Sequence, residues 1–389
     1  METKTVRLGD VANVNPRLPL TKGTVARKIP MEALTAHQRH IDSFFYEKYS
    51  GGVKFQNGDT LVARITPSLE NGKTSYVDLL DKDEIAFGST EFIVLRAKNK
   101  LILPKFLYYI SISDDFRQMS IQSMTGTSGR QRVQSESVIN YEFSLPDIEK
   151  QTAIVDLLDA IDQKLKINQQ INKNLLKLSV LGFNKWLDST QSNQYTSLDK
   201  IASFKNGIAM QKFSPTDKIH VLPVIKIREL NQGYIDSNSD SVTSVIDDDV
   251  KVHNGDLVFS WSGTLSAKIW TDGDAALNQH LFKVTSNRWP KWFYYLWVLH
   301  HLNTFRGIAA DKKTTMGHIK RKDLTNAKVL IPNAKEFKNL DTILNPIIEQ
   351  MVNGGIESKN LIDIRNILLP KLLSGSMDLS SIEETINND

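Results

Sequence analysis

The sequence predicts an α/β protein built as a duplicate: two similar α/β domains separated by two long helices that pair as a coiled coil. Three landmarks recur at a spacing of roughly 190 residues. LGDVANV (Leu8 to Val14) returns as LDKIASF (Leu198 to Phe204), NGDTLV (Asn57 to Val62) as NGDLV (Asn254 to Val258), and KFLYYI (Lys105 to Ile110) as KWFYYL (Lys291 to Leu296). Each copy then reaches Leu145-Pro146 or Ile331-Pro332 and runs into a long stretch of helical spacing. The text between landmarks does not match: TPSLENGKTSY belongs to the first copy and WSGTLSAKIW to the second. A repeated frame with unlike surfaces suits a protein that holds two different things at a fixed separation. The expected order is a first domain over 1–146, a first helix over 147–189, a second domain over 190–332, a second helix over 333–375 and a tail over 376–389.

Taken along the chain, GDTLVARI (Gly58 to Ile65) and EFIVLRA (Glu91 to Ala97) read as strands. They are short, β-branched and aromatic, and bounded by Gly, Asn and Asp. KFLYYISISDDFRQM (Lys105 to Met119) has the apolar spacing of a helix. From Thr152 to Leu181 there is neither Pro nor Gly, and Ile154, Leu158, Ile161, Leu165, Asn168, Asn172 and Leu175 alternate steps of four and three. That is a heptad seam, and thirty helical residues would make a rod of about 45 Å. Asn168 and Asn172 either fix the register of a partner helix or face solvent on a wide one. The polar run DSTQSNQYTS (Asp188 to Ser197) is the natural joint into the second copy. There DLVFSW (Asp256 to Trp261) and HLFKVTS (His280 to Ser286) repeat the strands, and KWFYYLWVLHHLNTF (Lys291 to Phe305) repeats the helix. In the last stretch Ile343, Ile347, Met351, Leu361, Ile364 and Leu368 keep a similar rhythm. Pro346 and Gly354-Gly355 interrupt it, which predicts a kinked or broken rod.

Composition narrows the function. At 389 residues the chain suits two domains plus connectors. With 40% hydrophobic and 24% charged residues it reads as soluble and globular. No apolar run approaches the ~18 to 20 residues that cross a bilayer, and METKTVRLGD has no signal-peptide hydrophobic region, so a cytoplasmic protein without a membrane partner is expected. The absence of cysteine excludes disulfides, thiolate nucleophiles and Cys-ligated zinc. The net charge of +4 is uneven: residues 1–146 carry +3, 147–189 are neutral, 190–332 carry +5 and 333–389 carry −4. Positive charge therefore sits on the two unlike domains, which points toward a polyanion.

Signatures of catalysis fall away one by one. Gly72-Lys73-Thr74 ends like a phosphate loop, but Pro67 stands where the first glycine belongs. Pro146-Asp147 followed by Asp162-Gln163-Lys164 imitates a nuclease triad, yet Asp162 and Lys164 fall in mid-helix, where such residues are expected to be exposed. None of the eight histidines lies in an HExxH pattern, no NPPY-like stretch exists to hold a flipped adenine, and no glycine-rich strand-to-helix turn awaits a nucleotide. No catalytic residue, metal ligand or cofactor site is therefore assigned to this chain. Binding remains. TGTSGRQRV (Thr125 to Val133) gathers hydroxyls, two glycines, Arg130, Gln131 and Arg132 just upstream of the strand ending at Pro146. DKKTTMGHIKRKD (Asp311 to Asp323) puts Lys312, Lys313, Lys320, Arg321 and Lys322 at the corresponding place in the second copy. Arginine suits phosphate or the O6/N7 edge of guanine, and glutamine suits adenine.

At this point the chain resembles a family, the DNA specificity subunits of type I restriction-modification systems. The resemblance covers nearly the whole length. It rests on the LGDVANV opening, the LPDIEKQTAIVDLLDAID entry to the first helix (Leu145 to Asp162) and the closing LLPKLLSG (Leu368 to Gly375). In the first domain ARITPSLENGKT (Ala63 to Thr74), FGSTEFIVLR (Phe87 to Arg96) and TSGRQRV look like one recurrent type of target recognition domain. In the second, FSWSGTL (Phe259 to Leu265) and LNQHLFKV (Leu277 to Val284) look like another, with Ser266 in place of a frequent glycine. The resemblance implies that each domain reads one half of a split, asymmetric sequence in double-stranded DNA. It implies that the helices pair antiparallel and set the gap.

The expected partners are two copies of a methyltransferase subunit, docked on the helices and domain flanks, and restriction subunits. S-adenosylmethionine and ATP with Mg²⁺ are expected on those partners and no cofactor on this chain. The expected DNA contacts are Arg64, Thr66, Lys73, Ser89, Thr90, Thr127, Ser128, Arg130, Gln131 and Arg132 in the first domain. In the second they are Ser260, Trp261, Ser262, Thr264, Asn278, Gln279, His280, Lys313, Thr314, His318, Lys320 and Arg321. A structural role is the alternative for several of these: Thr90 with Glu91 as a strand cap, Trp261 as a core residue, and His280 as a packing residue at a strand entry. Three other readings stand beside this one. A stand-alone methyltransferase or nuclease needs a catalytic motif that the sequence lacks. A coiled-coil scaffold without DNA binding leaves the paired basic loops unexplained. An orphan or phase-variable specificity subunit differs only in its partners.

Overall fold

A computed structural model describes residues 4–377 except 42, 99, 128, 216, 218, 237 and 312–316. The chain divides into two compact units, Met1–Lys166 with Ile362–Asp389, and Ile167–Leu361.

In the first unit the strands are β1 (Lys4–Arg7), β2 (Ala12–Val14), β3 (Val25–Ile29), β4 (Phe45–Lys48), β5 (Val53–Phe55), β6 (Thr60–Ala63), β7 (Thr74–Tyr76), β8 (Ala86–Gly88), β9 (Phe92–Ala97) and β10 (Glu142–Leu145). They form the sheets β1-β10, β2-β9-β6-β7 and β4-β3-β8-β5. The second unit has β11 (Tyr195–Ser197), β12 (Ser203–Asn206), β13 (Val221–Ile225), β14 (Ser241–Thr243), β15 (Lys251–Val252), β16 (Leu257–Ser260), β17 (Ala267–Ile269), β18 (Ala275–Leu277), β19 (Leu281–Thr285) and β20 (Lys328–Leu330). Its sheets are β11-β20, β12-β19-β16-β17 and β14-β13-β18-β15. The two strand orders are the same, down to one parallel pair each, β3 with β8 and β13 with β18. The duplication expected from the landmarks is thus a duplication of topology.

The NGD landmark shows why the frame survives divergence. Gly58 and Gly255 both sit at φ +90°, a left-handed turn that glycine enters without a Cβ penalty. The aspartate that follows accepts the backbone N–H three residues before it, Gln56 to Asp59 and His253 to Asp256, each at 2.9 Å. It then ion-pairs with a cation on the neighbouring strand of the same sheet, β9 or β19, Asp59 with Arg96 at 2.6 Å and Asp256 with Lys283 at 2.9 Å. The turn is fixed at both ends, so the strand leaving it, β6 or β16, delivers its far end to a set place. That far end carries the divergent loops.

The apolar stretches behind the sheets are helices, as their spacing predicts. The first divides into Pro104–Ile112 and Asp114–Gln122, because the Ser113 hydroxyl accepts the Phe116 N–H and starts a new helix there. The second copy is one helix, Lys291–Ala310, with Trp292, Phe293, Tyr295 and Trp297 in the core.

The two long helices are Ile148–Ser189 and Ala334–Ser374. Within the second unit they run antiparallel: Asn168 donates to Glu357 at 2.8 Å, Asn172 to the Met351 carbonyl at 3.1 Å, and Thr190 to Glu336 at 2.7 Å. Within the first unit the sense is the same, with Asp162 paired to Arg365 at 2.6 Å and Leu158 in one core with Leu369 and Leu372. Of the two readings of Asn168, the structure has the buried one that pairs across the seam.

Three expectations are corrected. Pro346 and Gly354-Gly355 do not break the second helix, which is continuous. The glycines are where neighbours come close: a Cβ on Gly354 would lie 2.9 Å from Asn172 Oδ1, and one on Gly355 would lie 2.6 Å from Thr271 Oγ1. The seam of that helix is also displaced by one residue. Leu344, Ile348, Gly354, Arg365, Leu369 and Leu372 are buried, whereas Ile343 and Ile364 are 60% and 47% exposed. Apolar residues stand side by side at 343/344, 347/348 and 368/369, so periodicity alone could not choose between the two registers. Finally, Asp162 is not exposed. It is 2% accessible, and it accepts hydrogen bonds from Arg365 and from the Tyr109 hydroxyl at 2.9 Å.

Candidate nucleic-acid interface

In both units the loops with the expected contact residues meet at the end of the central strand, β6 or β16. Beyond β6 the chain bridges Ile65 to Arg132: the Thr66 N–H donates to the Gln131 carbonyl at 3.0 Å and the Val133 N–H to the Arg64 carbonyl at 2.8 Å. The turn before β9 joins the same point, since the Arg64 N–H donates to the Glu91 carbonyl at 2.9 Å. Three stretches far apart in sequence thus form one surface: 64–73, 89–91 and 125–133.

Within it, the expected residues divide by what their side chains already hold. Thr66 is buried, and its hydroxyl accepts the Gln131 N–H at 3.1 Å. Ser89 Oγ accepts the Glu91 N–H at 3.1 Å. Lys73 reaches the Met31 carbonyl at 3.0 Å, and burial pushes its ammonium below the usual lysine range. These three shape the loops. Thr90, Thr127 and Arg130 are exposed, and Gln131 is half-buried. Arg132 is gripped by Glu91 through Nε at 3.1 and 2.9 Å and Nη2 at 2.7 Å. Those bonds from Arg132 hold the Glu91 carboxyl below the usual carboxylate range against partial burial. Ser128 lies outside the described residues.

Beyond β16 the same lattice recurs. Ser262 bridges His318, with the Gly263 N–H donating to the Gly317 carbonyl at 2.9 Å and the Ile319 N–H to the Trp261 carbonyl at 3.0 Å. The Trp261 N–H donates to the His280 carbonyl at 3.4 Å. Ser260 is fully buried and its hydroxyl donates to the Ser262 carbonyl at 2.9 Å. Asn278 is buried and its Oδ1 accepts the His280 N–H at 3.1 Å, as Ser89 does for Glu91. Ser262 lies 3.2 Å from His280 Nδ1, and the Trp261 ring meets His280 at 5.9 Å and His318 at 6.2 Å between centroids. Thr264, Gln279 and Lys320 are exposed. Arg321 pins the loop instead, donating to the Phe204 carbonyl at 3.1 Å and to Asn206 Oδ1 at 2.9 Å over the Phe282 ring. Lys313 and Thr314 lie outside the described residues. Nothing in the local pattern signals that Glu91 holds Arg132 or that Asn206 holds Arg321, since each pair joins positions far apart in the chain.

Among the described residues no cluster of His, Asp and Glu is arranged to hold a metal ion, and no helix is long and apolar enough to cross a membrane. Fold and site together define a duplicated α/β scaffold that presents two chemically different loop clusters. The chain belongs to the family of the type I restriction modification DNA specificity domain, whose profile matches it twice, over residues 1–177 and 192–359. It is 31% identical over 134 residues to the HindI specificity subunit of Haemophilus influenzae, covering 34% of this chain and 28% of that one. To the EcoAI specificity subunit of Escherichia coli it is 28% identical over 182 residues, 43% of this chain and 31% of that one. The matched stretches thus span about a third of those relatives' own lengths. The MjaIX specificity subunit of Methanocaldococcus jannaschii matches over 72% of this chain and 71% of its own at 20% identity. A crystal structure of the S subunit of a type I restriction-modification system from M. genitalium aligns over 96% of this chain and 95% of its own, at 13% identity and a TM-score of 0.49.

Proposed function

We propose that this chain is the DNA specificity subunit of a type I restriction-modification complex, in which each domain reads one half of a split target in double-stranded DNA. The observation that carries this is the lattice of backbone hydrogen bonds repeated beyond β6 and β16 with different side chains hung on it. A frame kept twice while its loops diverge is what two independent readers require. Exposed Arg130, Lys320 and Gln279 supply phosphate and base contacts to such a ligand. The paired helices set the gap between half-sites and dock two methyltransferase subunits. S-adenosylmethionine belongs to those subunits, and ATP with Mg²⁺ to restriction subunits where these join. This chain supplies recognition and no chemistry, in the cytoplasm. An orphan specificity subunit serving only a methyltransferase has the same reading surface and differs in its partners.

The test is to co-express the chain with its modification subunit and map modified adenines genome-wide. One bipartite, asymmetric motif is expected. Exchanging residues 1–146 for another variant should rewrite one half only; a change in both halves contradicts independent reading, and no motif at all contradicts the function.

A further inference from the structure

We propose that three matched positions form the base-reading centre of each domain, Arg64, Glu91 and Arg132 in the first and Trp261, His280 and His318 in the second, with Glu91 positioning Arg132 on a guanine. This rests on the DNA-reading function proposed above. The match is made by the backbone, because the side chains have nothing in common. Arg64 and Trp261 each donate a backbone N–H to the carbonyl of the residue just before the neighbouring strand β9 or β19, Glu91 or His280, and each accepts from the residue after the bridge, Val133 or Ile319. Glu91 and His280 in turn donate to the side-chain oxygen two residues before them, Ser89 or Asn278. Arg132 and His318 are the bridge residues themselves. Among the described residues, Arg64 Nε and Trp261 Nε1 are also both buried without an acceptor.

The first triad has a specific geometry. A guanidinium carries five N–H groups in a plane, and Glu91 takes the side edge made by Nε and Nη2. Nη1 makes one further, long contact, to the Arg130 carbonyl at 3.5 Å. With two N–H groups on each terminal nitrogen, the end edge can still offer one from each to a second planar acceptor pair, and the Arg132 side chain is 42% exposed. Two parallel N–H groups fit the O6 and N7 of guanine. They would also fit a phosphate, but charge decides between the two. The Glu91–Arg132 pair has no net charge, so it gains little from displacing counterions, and a carboxylate beside a phosphate is repelled. What the carboxylate does supply is orientation. In the second triad no acid occupies the matched positions, and an indole flanked by two imidazoles stands there instead. The two half-sites therefore meet different chemistry at the same point of the scaffold.

The experiment uses the complex with the modification subunit and reads the modified motif for E91Q, R132K and H318A. E91Q and R132K are expected to relax one guanine position in one half-site, on the order of tenfold or more in discrimination, and to leave the other half intact. H318A is expected to relax only the other half. The slope of log affinity against log salt should change by well under the ~0.9 that one lost phosphate contact produces. Should E91Q fold poorly, R132K decides, because it keeps the charge and loses only the fork. The proposal is overturned if the motif is unchanged in R132K, or if R132K weakens all duplexes equally with a slope change near one contact. A wild-type complex with no bipartite motif would instead remove the DNA-reading function on which the proposal rests.

Discussion

Arg365 brings a full charge into the core of the first unit, 2% accessible, and meets Asp162 at 2.6 Å and the His37 carbonyl at 3.0 Å. A buried pair of this kind adds little over an apolar replacement, but losing one partner strands the other. R365M is therefore expected to cost about 3 to 5 kcal/mol, with R365M/D162N, which removes the stranded charge and keeps an acceptor for the Tyr109 hydroxyl, recovering part of it, as read by circular dichroism during urea unfolding. Equal losses in both variants would show that the charges themselves stabilise. Asp159 behaves differently because it faces several cations. Burial pushes its carboxyl up, but hydrogen bonds from Lys105 and Gln163 and the charge of Arg39 outweigh this and hold it below the usual range. A depressed carboxylate stabilises above its unfolded value and loses that contribution as pH falls through its folded one. The deficit of D159N in thermal midpoint should thus be full at pH 7 and shrink as pH falls below about 4. A deficit independent of pH would remove the electrostatic account. At this scale the sequence made residue types legible and partners illegible. Arg132 could be picked as a fork for a base, but its hold on Glu91, 41 residues away, exists only once β9 and the 125–133 loop meet.

The long helices show how far an element can be read from its own pattern. The seam from Ile154 through Asn172 is found where the four-three rhythm put it, with Ile154, Leu158, Ile161 and Asn168 buried and Leu165 and Asn172 half-buried. In the second helix doubled apolar pairs left two registers open, and packing chose the one led by Leu344. L344A should accordingly cost about 2 to 5 kcal/mol and I343A within about 0.5 kcal/mol. Tryptophan fluorescence reads this directly, since all six tryptophans lie in residues 167–361. Equal effects would return the seam to Ile343. Gly355 sets two known terms against each other. Alanine gains about 1 kcal/mol of helix propensity over glycine, yet its Cβ would sit 2.6 to 2.9 Å from three atoms of Thr271. Overpacking costs of about 1 to 3 kcal/mol exceed that gain, so G355A should lower the unfolding midpoint. A rise would mean that Thr271 moves aside freely.

On the scale of the whole chain, the second unit is continuous in sequence whereas the first is assembled from both ends. Residues 167–361 contain every strand and helix segment of their own core, so that fragment is expected to fold alone, with a cooperative thermal transition. Residues 1–166 lack Arg365, Leu369 and Leu372 and leave Asp162 buried without its cation. They should melt lower, and a 362–389 peptide added in trans should raise the transition. No effect of the peptide would detach the last helix from the first core. The duplication, the α/β class, the first helix and the places where the two copies diverge were determined by the sequence alone, because turns, alternation and heptads are local and each leaves its mark on neighbouring residues. The tertiary structure alone decided which face of the second helix is buried, that glycines there mark close approach, and that Arg64, Glu91 and Arg132 match Trp261, His280 and His318. Those depend on backbone bonds and packing between segments distant in sequence, and such contacts have no period to read.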